Sequence, residues 1–195
     1  MSFNASEFVD PPWGAALAIE PAIASIPQEA TISGMFYLAL QEGAKRHNLP
    51  LTLPQERYLP YNFYPAREFA RALVQAAQVF HPDRSLRQGL RALGAAAPKA
   101  FANSTLGKVT LGSAEGVHAV VTAMAKNYET NVRPSRCSVL ESAPRRMRLL
   151  LEKMYYFVDS HHVGVFEGTL ERAGVRGRVR IASRGRVAAE LLLEW

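Results

Sequence analysis

The sequence predicts an α+β fold in which an N-terminal helical layer packs on a C-terminal antiparallel sheet. Two observations predict it. Up to residue 132, apolar side chains recur every three to four positions between prolines, as on helices with one buried face. After Arg133-Pro134 they alternate in twos around one further helical stretch, which gives the order β-β-α-β-β. Neither part has enough amphipathic faces to bury a core alone. The 195 residues are therefore expected to form one domain, helical over 1–132 and sheet-bearing over 133–195.

Residues 1–31, rich in proline and small side chains, read as an ordered arm with one short helix. Thr31 or Ser33 can cap a helix with Ile32, Phe36, Ala39 and Leu40 on one face, ending near Arg46-His47-Asn48. Pro54, Pro60 and Pro65 forbid a helix through the next segment, and Pro65 suits the first position of the one that follows. That helix carries Phe69, Leu73, Ala76 and Phe80 and stops at His81-Pro82. Ser85 can cap the next, with Leu86, Leu90, Leu93, Ala97 and Phe101 in a stripe; Pro98 is expected to kink or split it, and Gly107 to stop it. Ser113 can cap a helix bearing Val117, Val120, Val121, Met124 and Tyr128.

In the C-terminal part, strands are expected at Cys137–Ala143 and Arg145–Phe157. Asp159 or Ser160 then caps a helix with Val163, Phe166 and Leu170 inward, closed by Gly174. A final hairpin turns at Ser183-Arg-Gly-Arg186, with Arg176, Arg178 and Arg180 facing Glu190 and Glu194 on its outer side.

Charge and cysteine content narrow the function classes. The net charge of +6 is uneven: residues 1–64 hold 3 basic and 6 acidic side chains, residues 133–186 hold 12 and 5. A basic surface can bind nucleic acid or another anionic partner, and Arg176, Arg178, Arg180, Arg184 and Arg186 are the residues for it. The arginine run lacks the interleaved aromatics of an RNA platform, so a solvated sheet face is the plainer reading. One cysteine, Cys137, excludes an internal disulfide and fits a reducing compartment. The N-terminus has no basic and apolar leader pattern, and no run of 18 apolar residues occurs, so a cytoplasmic protein without a membrane span is expected.

No catalytic constellation stands out. There is no Gly-x-Ser-x-Gly elbow and no phosphate loop around Gly107-Lys108, and Cys137 has no base beside it in sequence. His47 and His81 read as helix-end residues. His161-His162 opens a helix, where adjacent rings point about 100° apart and do not easily share one metal. His118, in an apolar helix, can face a pocket. The proline-stiffened segment with Tyr58, Tyr61, Phe63 and Tyr64 can wall one or simply cover the core.

In order and spacing, Ile32-Ser-Gly-Met-Phe36, Tyr61-Asn-Phe-Tyr-Pro65, Leu90-Arg-Ala-Leu-Gly94, Phe101-Ala-Asn-Ser-Thr-Leu-Gly107 and Gly164-Val-Phe-Glu-Gly168, closing on Trp195, resemble an uncharacterised paralogous family expanded in myxobacteria. The layout is also similar to the haem–nitric-oxide-binding fold, in which a ligand sits between the helices and a β-β-α-β-β unit. That second resemblance implies iron on a helical histidine, here His118, and a Tyr-x-Ser-x-Arg grip on the haem carboxylates. Here Tyr156 and Ser160 stand four apart rather than two, and no arginine follows at the right place. No cofactor is therefore expected. The resulting expectation is a non-enzymatic ligand-sensing or adaptor protein. It would hold an apolar or aromatic small molecule, or a protein partner, between helices and sheet, using Phe36, Tyr61, Tyr64, His118 and Tyr156. A haem or gas sensor built on His118 and an arginine-based anion or nucleic-acid binder are the alternatives; a homodimer stays open.

Overall fold

The structure, a computed structural model, describes residues 4–185 and 187–195. A helix α1 (Ile19–Ala24) follows an extended arm that begins with a single 3₁₀ turn at Ala5–Glu7. The chain then runs β1 (Thr31–Ser33), α2 (Gly34–His47), β2 (Phe63–Pro65), α3 (Ala66–Phe80), α4 (Leu86–Asn103), α5 (Thr105–Leu111) and α6 (Gly116–Asn131). The second part is β3 (Val132–Arg133), β4 (Arg136–Ala143), β5 (Arg146–Glu152), α7 (His161–Arg172), β6 (Arg178–Ser183) and β7 (Ala189–Glu194). The expected α+β architecture and the β-β-α-β-β order are both present.

The larger sheet is antiparallel in the order β4-β5-β7-β6. Its inward face pairs Met147 with Leu193, Leu149 with Leu191 and Leu151 with Ala189, all fully buried under the helices. The period of two read from the sequence thus selects the core face. A second, small sheet, β2-β1-β3, ties the start of α2 and α3 to the end of α6. It was not legible in the sequence because its strands are only two or three residues long. Thr31 and Ser33 are accordingly strand residues first. Ser33 occupies the N-cap of α2 without capping it, and its hydroxyl donates to the Pro60 carbonyl at 2.5 Å.

Other boundaries differ for local reasons. Pro98 stays inside α4, which runs unbroken to Asn103; only the hydrogen bond to the Gly94 carbonyl is forfeited. Gly107 lies inside α5 rather than ending α4, because a Cβ there would overlap the Phe101 carbonyl. The β5 strand ends at Glu152, not at Phe157: Lys153 (φ 53°) and Phe157 (φ 49°) both take left-handed backbone, which ends the pleat. The intervening loop brings Tyr156 inward. Ser85 caps α4 as expected, in a reciprocal capping box with Gln88.

The contact that places the functional region is the seam between α4 and α7. A Cβ added at Gly94 would overlap the His161 carbonyl, at Gly164 the Arg91 carbonyl, and at Gly168 the Ala95 carbonyl. Only glycine lets the two backbones approach this closely. Phe166 and Leu170 then bury fully beneath the sheet, and the first turn of α7 is pressed against the middle of α4.

Candidate functional site

On the side of α4 away from this seam lies a cavity of about 750 Å³. Its walls are Phe36 and Leu40 of α2, Phe69, Leu73 and Phe80 of α3, and Leu93, Ala96, Ala97, Ala100 and Phe101 of α4. Met124, Asn127 and Tyr128 of α6, with Tyr156, His161, His162 and Val165, complete the wall. Alanines dominate the α4 face, and their short side chains leave the space. The charged lining residues are Glu42, Arg46 and Lys99, all exposed at the rim. The interior is uncharged.

Two histidines enter this wall from the first turn of α7. His161 Nδ1 lies 3.4 Å from the Leu90 carbonyl of α4. A carbonyl only accepts, so Nδ1 carries the proton and Nε2 keeps its lone pair. Burial holds the pKa of His161 down at about 4, the Leu90 hydrogen bond opposing weakly. His162 Nδ1 meets the Tyr128 hydroxyl at 2.9 Å, while its Nε2 is buried without a partner in hydrogen-bonding geometry. Burial, then the neighbouring His161, push the pKa of His162 well below the ordinary range; the Tyr156 backbone opposes them. Both rings are thus neutral near pH 7. Tyr156 stands edge-on to Phe69 (6.2 Å between ring centroids) and tilted against His162 (5.1 Å). Its hydroxyl has no hydrogen-bond partner among the described residues, and burial raises its pKa well above the usual tyrosine range.

The structure brings together Phe36 and Tyr156 of the residues singled out from the sequence; both line the cavity. The other three lie elsewhere. Tyr61 is 65% exposed. Tyr64 packs edge-on against Tyr37 and Tyr58 and accepts from the Leu59 amide at 2.9 Å, so it covers the core rather than the cavity. His118 bonds the Ala143 carbonyl through Nε2 at 2.7 Å and lies edge-on to Trp195. Met124 and Asn127, which do reach the cavity, sit about 120° and 180° round α6 from it. His161 and His162 were weighed in the sequence only as a metal pair, which their divergent directions at a helix start disfavour, and so were not placed at a ligand site. The signal that could have found them is Gly164 and Gly168 just downstream, whose spacing marks α7 as a helix pressed against a neighbour.

The arginine face is also resolved. Arg178 pairs with Asp10, Arg180 with Glu194, and Arg184 with both Glu7 and Glu190. The N-terminal arm, bridged to β6 at Val9 and Ile181, carries Asp10 and Glu7 onto that surface. Arg176 instead lines a separate polar cleft of about 830 Å³ beside Arg84, Arg91, Glu167 and Glu171. Arg186 lies outside the described residues. Two acidic residues of the arm, Asp10 and Glu7, and two of the last strand, Glu190 and Glu194, therefore pair Arg178, Arg180 and Arg184. Among the described residues no group of histidine, cysteine and carboxylate side chains could hold a metal ion, and no helix is long and apolar enough to cross a membrane.

The fold has solved counterparts. A mutant H-NOX protein from S. oneidensis in the Fe(II) ligation state superposes with a TM-score of 0.64 at 11% identity, covering 84% of this chain and 95% of that one. An Fe(II) unliganded H-NOX protein from K. algicida gives 0.59 at 12% identity, over 84% and 96%. At these identities the likeness shows the fold. The histidine that the haem resemblance assigned does not fit here: His118 is not part of the cavity wall and bonds the Ala143 carbonyl instead. No curated protein matches the chain. Residues 26–195 match a family described as a protein of unknown function, DUF2378. The chain belongs to the DUF2378 family and has the H-NOX fold.

Proposed function

We propose that this chain is a non-enzymatic ligand-sensing module that takes an apolar small molecule into the cavity between α2, α3, α4, α6 and the start of α7. The observation that carries this reading is the cavity itself: about 750 Å³, largely apolar and uncharged inside, charged only at its rim. Sites of this volume and character bury most of a drug-sized ligand. The same helix, α4, forms one wall of the cavity and one side of the glycine seam. A ligand that displaces α4 therefore also acts on α7 and the sheet beneath it, which supplies a route from occupancy to a surface a partner can read.

The test is a thermal-shift screen of the purified chain against lipophilic compounds, with Ala97→Phe as the control that intrudes into the cavity. A binder at a hundred times its Kd stabilises by about 2.7 kcal/mol. The expected result is a Tm rise in the wild-type chain that is lost in Ala97→Phe. Failure of the whole panel, or equal shifts in both proteins, counts against the cavity as a binding site. A haem or gas sensor is the second reading, favoured by the fold and by a neutral histidine, His161, on the wall. Haemin titration followed by absorbance tests it, and His118→Ala is expected to leave the outcome unchanged.

A further inference from the structure

The polar atoms inside the cavity restrict what fits it. Tyr156 and His161 are 97% and 92% buried by their residual exposures of 3% and 8%, and both line the cavity. Both rings pack against His162, with centroids 5.1 and 5.2 Å away, so they share one end of the space. Neither the Tyr156 hydroxyl nor His161 Nε2 has a protein partner among the described residues. Both atoms open onto the cavity, where a ligand group can meet them, whereas His162 Nε2 on the same wall is sealed without a partner; polar atoms in a largely apolar cavity mark where a ligand's polar group belongs.

The chemistry of the two atoms differs. The Tyr156 hydroxyl is a donor in need of an acceptor. His161 Nε2 is an acceptor, because the Leu90 carbonyl holds the ring proton on Nδ1. No charged side chain lines the interior to hold a carboxylate or an ammonium group. A carboxylate would accept from Tyr156 but oppose the His161 lone pair, and its desolvation would go uncompensated. A ketone offers nothing to His161. A hydroxyl satisfies both, accepting from one residue and donating to the other.

We infer that the cavity recognises an apolar alcohol or phenol, with the Tyr156 hydroxyl donating to the ligand oxygen and His161 Nε2 accepting the ligand's proton. This rests on the cavity reading above and specifies its ligand class.

Matched probes test it: naphthalene, 2-naphthol and 2-naphthoic acid, with 1-dodecanol and dodecanoic acid as an open-chain pair, titrated into the full chain at pH 7.5. The expected result is that each alcohol binds about three- to tenfold more tightly than its hydrocarbon or acid counterpart, the worth of a neutral hydrogen bond. Tyr156→Phe, which keeps the ring and its packing, removes that advantage and leaves naphthalene affinity unchanged; His161→Leu does the same if it folds. Acids binding as tightly as alcohols overturn the inference. So does a wild-type protein that does not distinguish naphthol from naphthalene, which leaves the cavity reading intact. Binding of none of the probes overturns both. A haemin absorbance band lost in His161→Leu also overturns it, by assigning the Nε2 lone pair to iron.

Discussion

The two faces of α4 solve opposite problems. Toward α7, Gly94 lies against the His161 carbonyl, and Gly164 and Gly168 lie against the Arg91 and Ala95 carbonyls, in a seam with no room for one methyl group. Toward the cavity, Ala92, Ala96, Ala97 and Ala100 hold open a space of about 750 Å³. Small residues serve both, yet glycine removes a Cβ so that backbones can touch, while alanine keeps helix propensity where nothing is to touch. Core interiors are ordinarily close-packed. A close-packed seam and a void on one helix therefore separate what holds the fold from what is reserved for something else. His161 sits where the two meet, its carbonyl against Gly94 and its ring on the cavity wall.

Acid is expected to strike that junction hardest. His161 has a folded-state pKa of about 4 against an ordinary 6.5. Below pH 6.5 the unfolded ring takes up a proton that the folded ring refuses, so stability is full above pH 6.5 and is lost as pH falls toward 4. At 1.36 kcal/mol per unit the loss is about 3 kcal/mol from His161 alone, and the lowered pKa of His162 acts in the same direction. Urea denaturation midpoints measured from pH 7 to pH 4 are expected to fall accordingly, with a shallower slope in His161→Phe. A pH-independent midpoint would mean that the rings are hydrated and the wall is not dry.

The seam comes next. Gly164→Ala and Gly168→Ala each gain roughly 1 kcal/mol of helix propensity but force the backbones apart. The net expectation is a loss of about 2–3 kcal/mol per substitution, in the range of an overpacked core. Chemical denaturation decides it. Unchanged or improved stability would show that the helices can separate without cost, and the contrast between the two faces would fail.

On the other face a larger side chain should be tolerated. Ala97→Leu enters existing space, so stability is expected to change by less than about 1 kcal/mol, while binding of a cavity ligand is weakened. A destabilisation equal to that at Gly168 would instead mark the cavity wall as packed in solution.

How much of this could be read from the sequence follows from the range of the forces involved. The alternation of Met147, Leu149 and Leu151 and the 3.6-residue stripe of Val163, Phe166 and Leu170 are local patterns, and they place the sheet and α7 correctly. The Ser85 cap is local too, and it holds, with Gln88 completing a capping box in the structure. The small sheet joining Ile32, Tyr64 and Val132 is not, because strands of two or three residues carry no period and β1 pairs with residues far along the chain, Val132 a hundred positions on. Two of the five residues singled out in the sequence, Phe36 and Tyr156, lie on the cavity wall. Phe36 and Tyr156 advertise themselves as aromatics in apolar surroundings, whereas His118 and His161 are indistinguishable until the rotation of α6 and the depth of α7 are known. Tyr156 reaches the cavity through the left-handed backbone at Lys153 and Phe157, which nothing in those side chains announces.

The smallest effect is expected at the feature that looked most functional in the sequence. Arg178 and Arg184 stand on the outer face of the sheet, where Asp10, Glu7 and Glu190 already meet them. The Arg178 and Asp10 side chains are 60% and 58% exposed. Water and salt screen such a pair, and exposed pairs of this kind add little to stability. Arg178→Ala is therefore expected to leave the Tm unchanged within error. A neutralised face also offers few cations to release counterions from DNA or RNA. Mobility-shift titrations at low and at physiological salt should accordingly show no difference between the wild-type chain and an Arg178→Ala/Arg184→Ala variant. Tight wild-type binding that weakens steeply with salt and disappears in the variant would reverse the assignment, making the arm bearing Asp10 and Glu7 a cover that nucleic acid displaces.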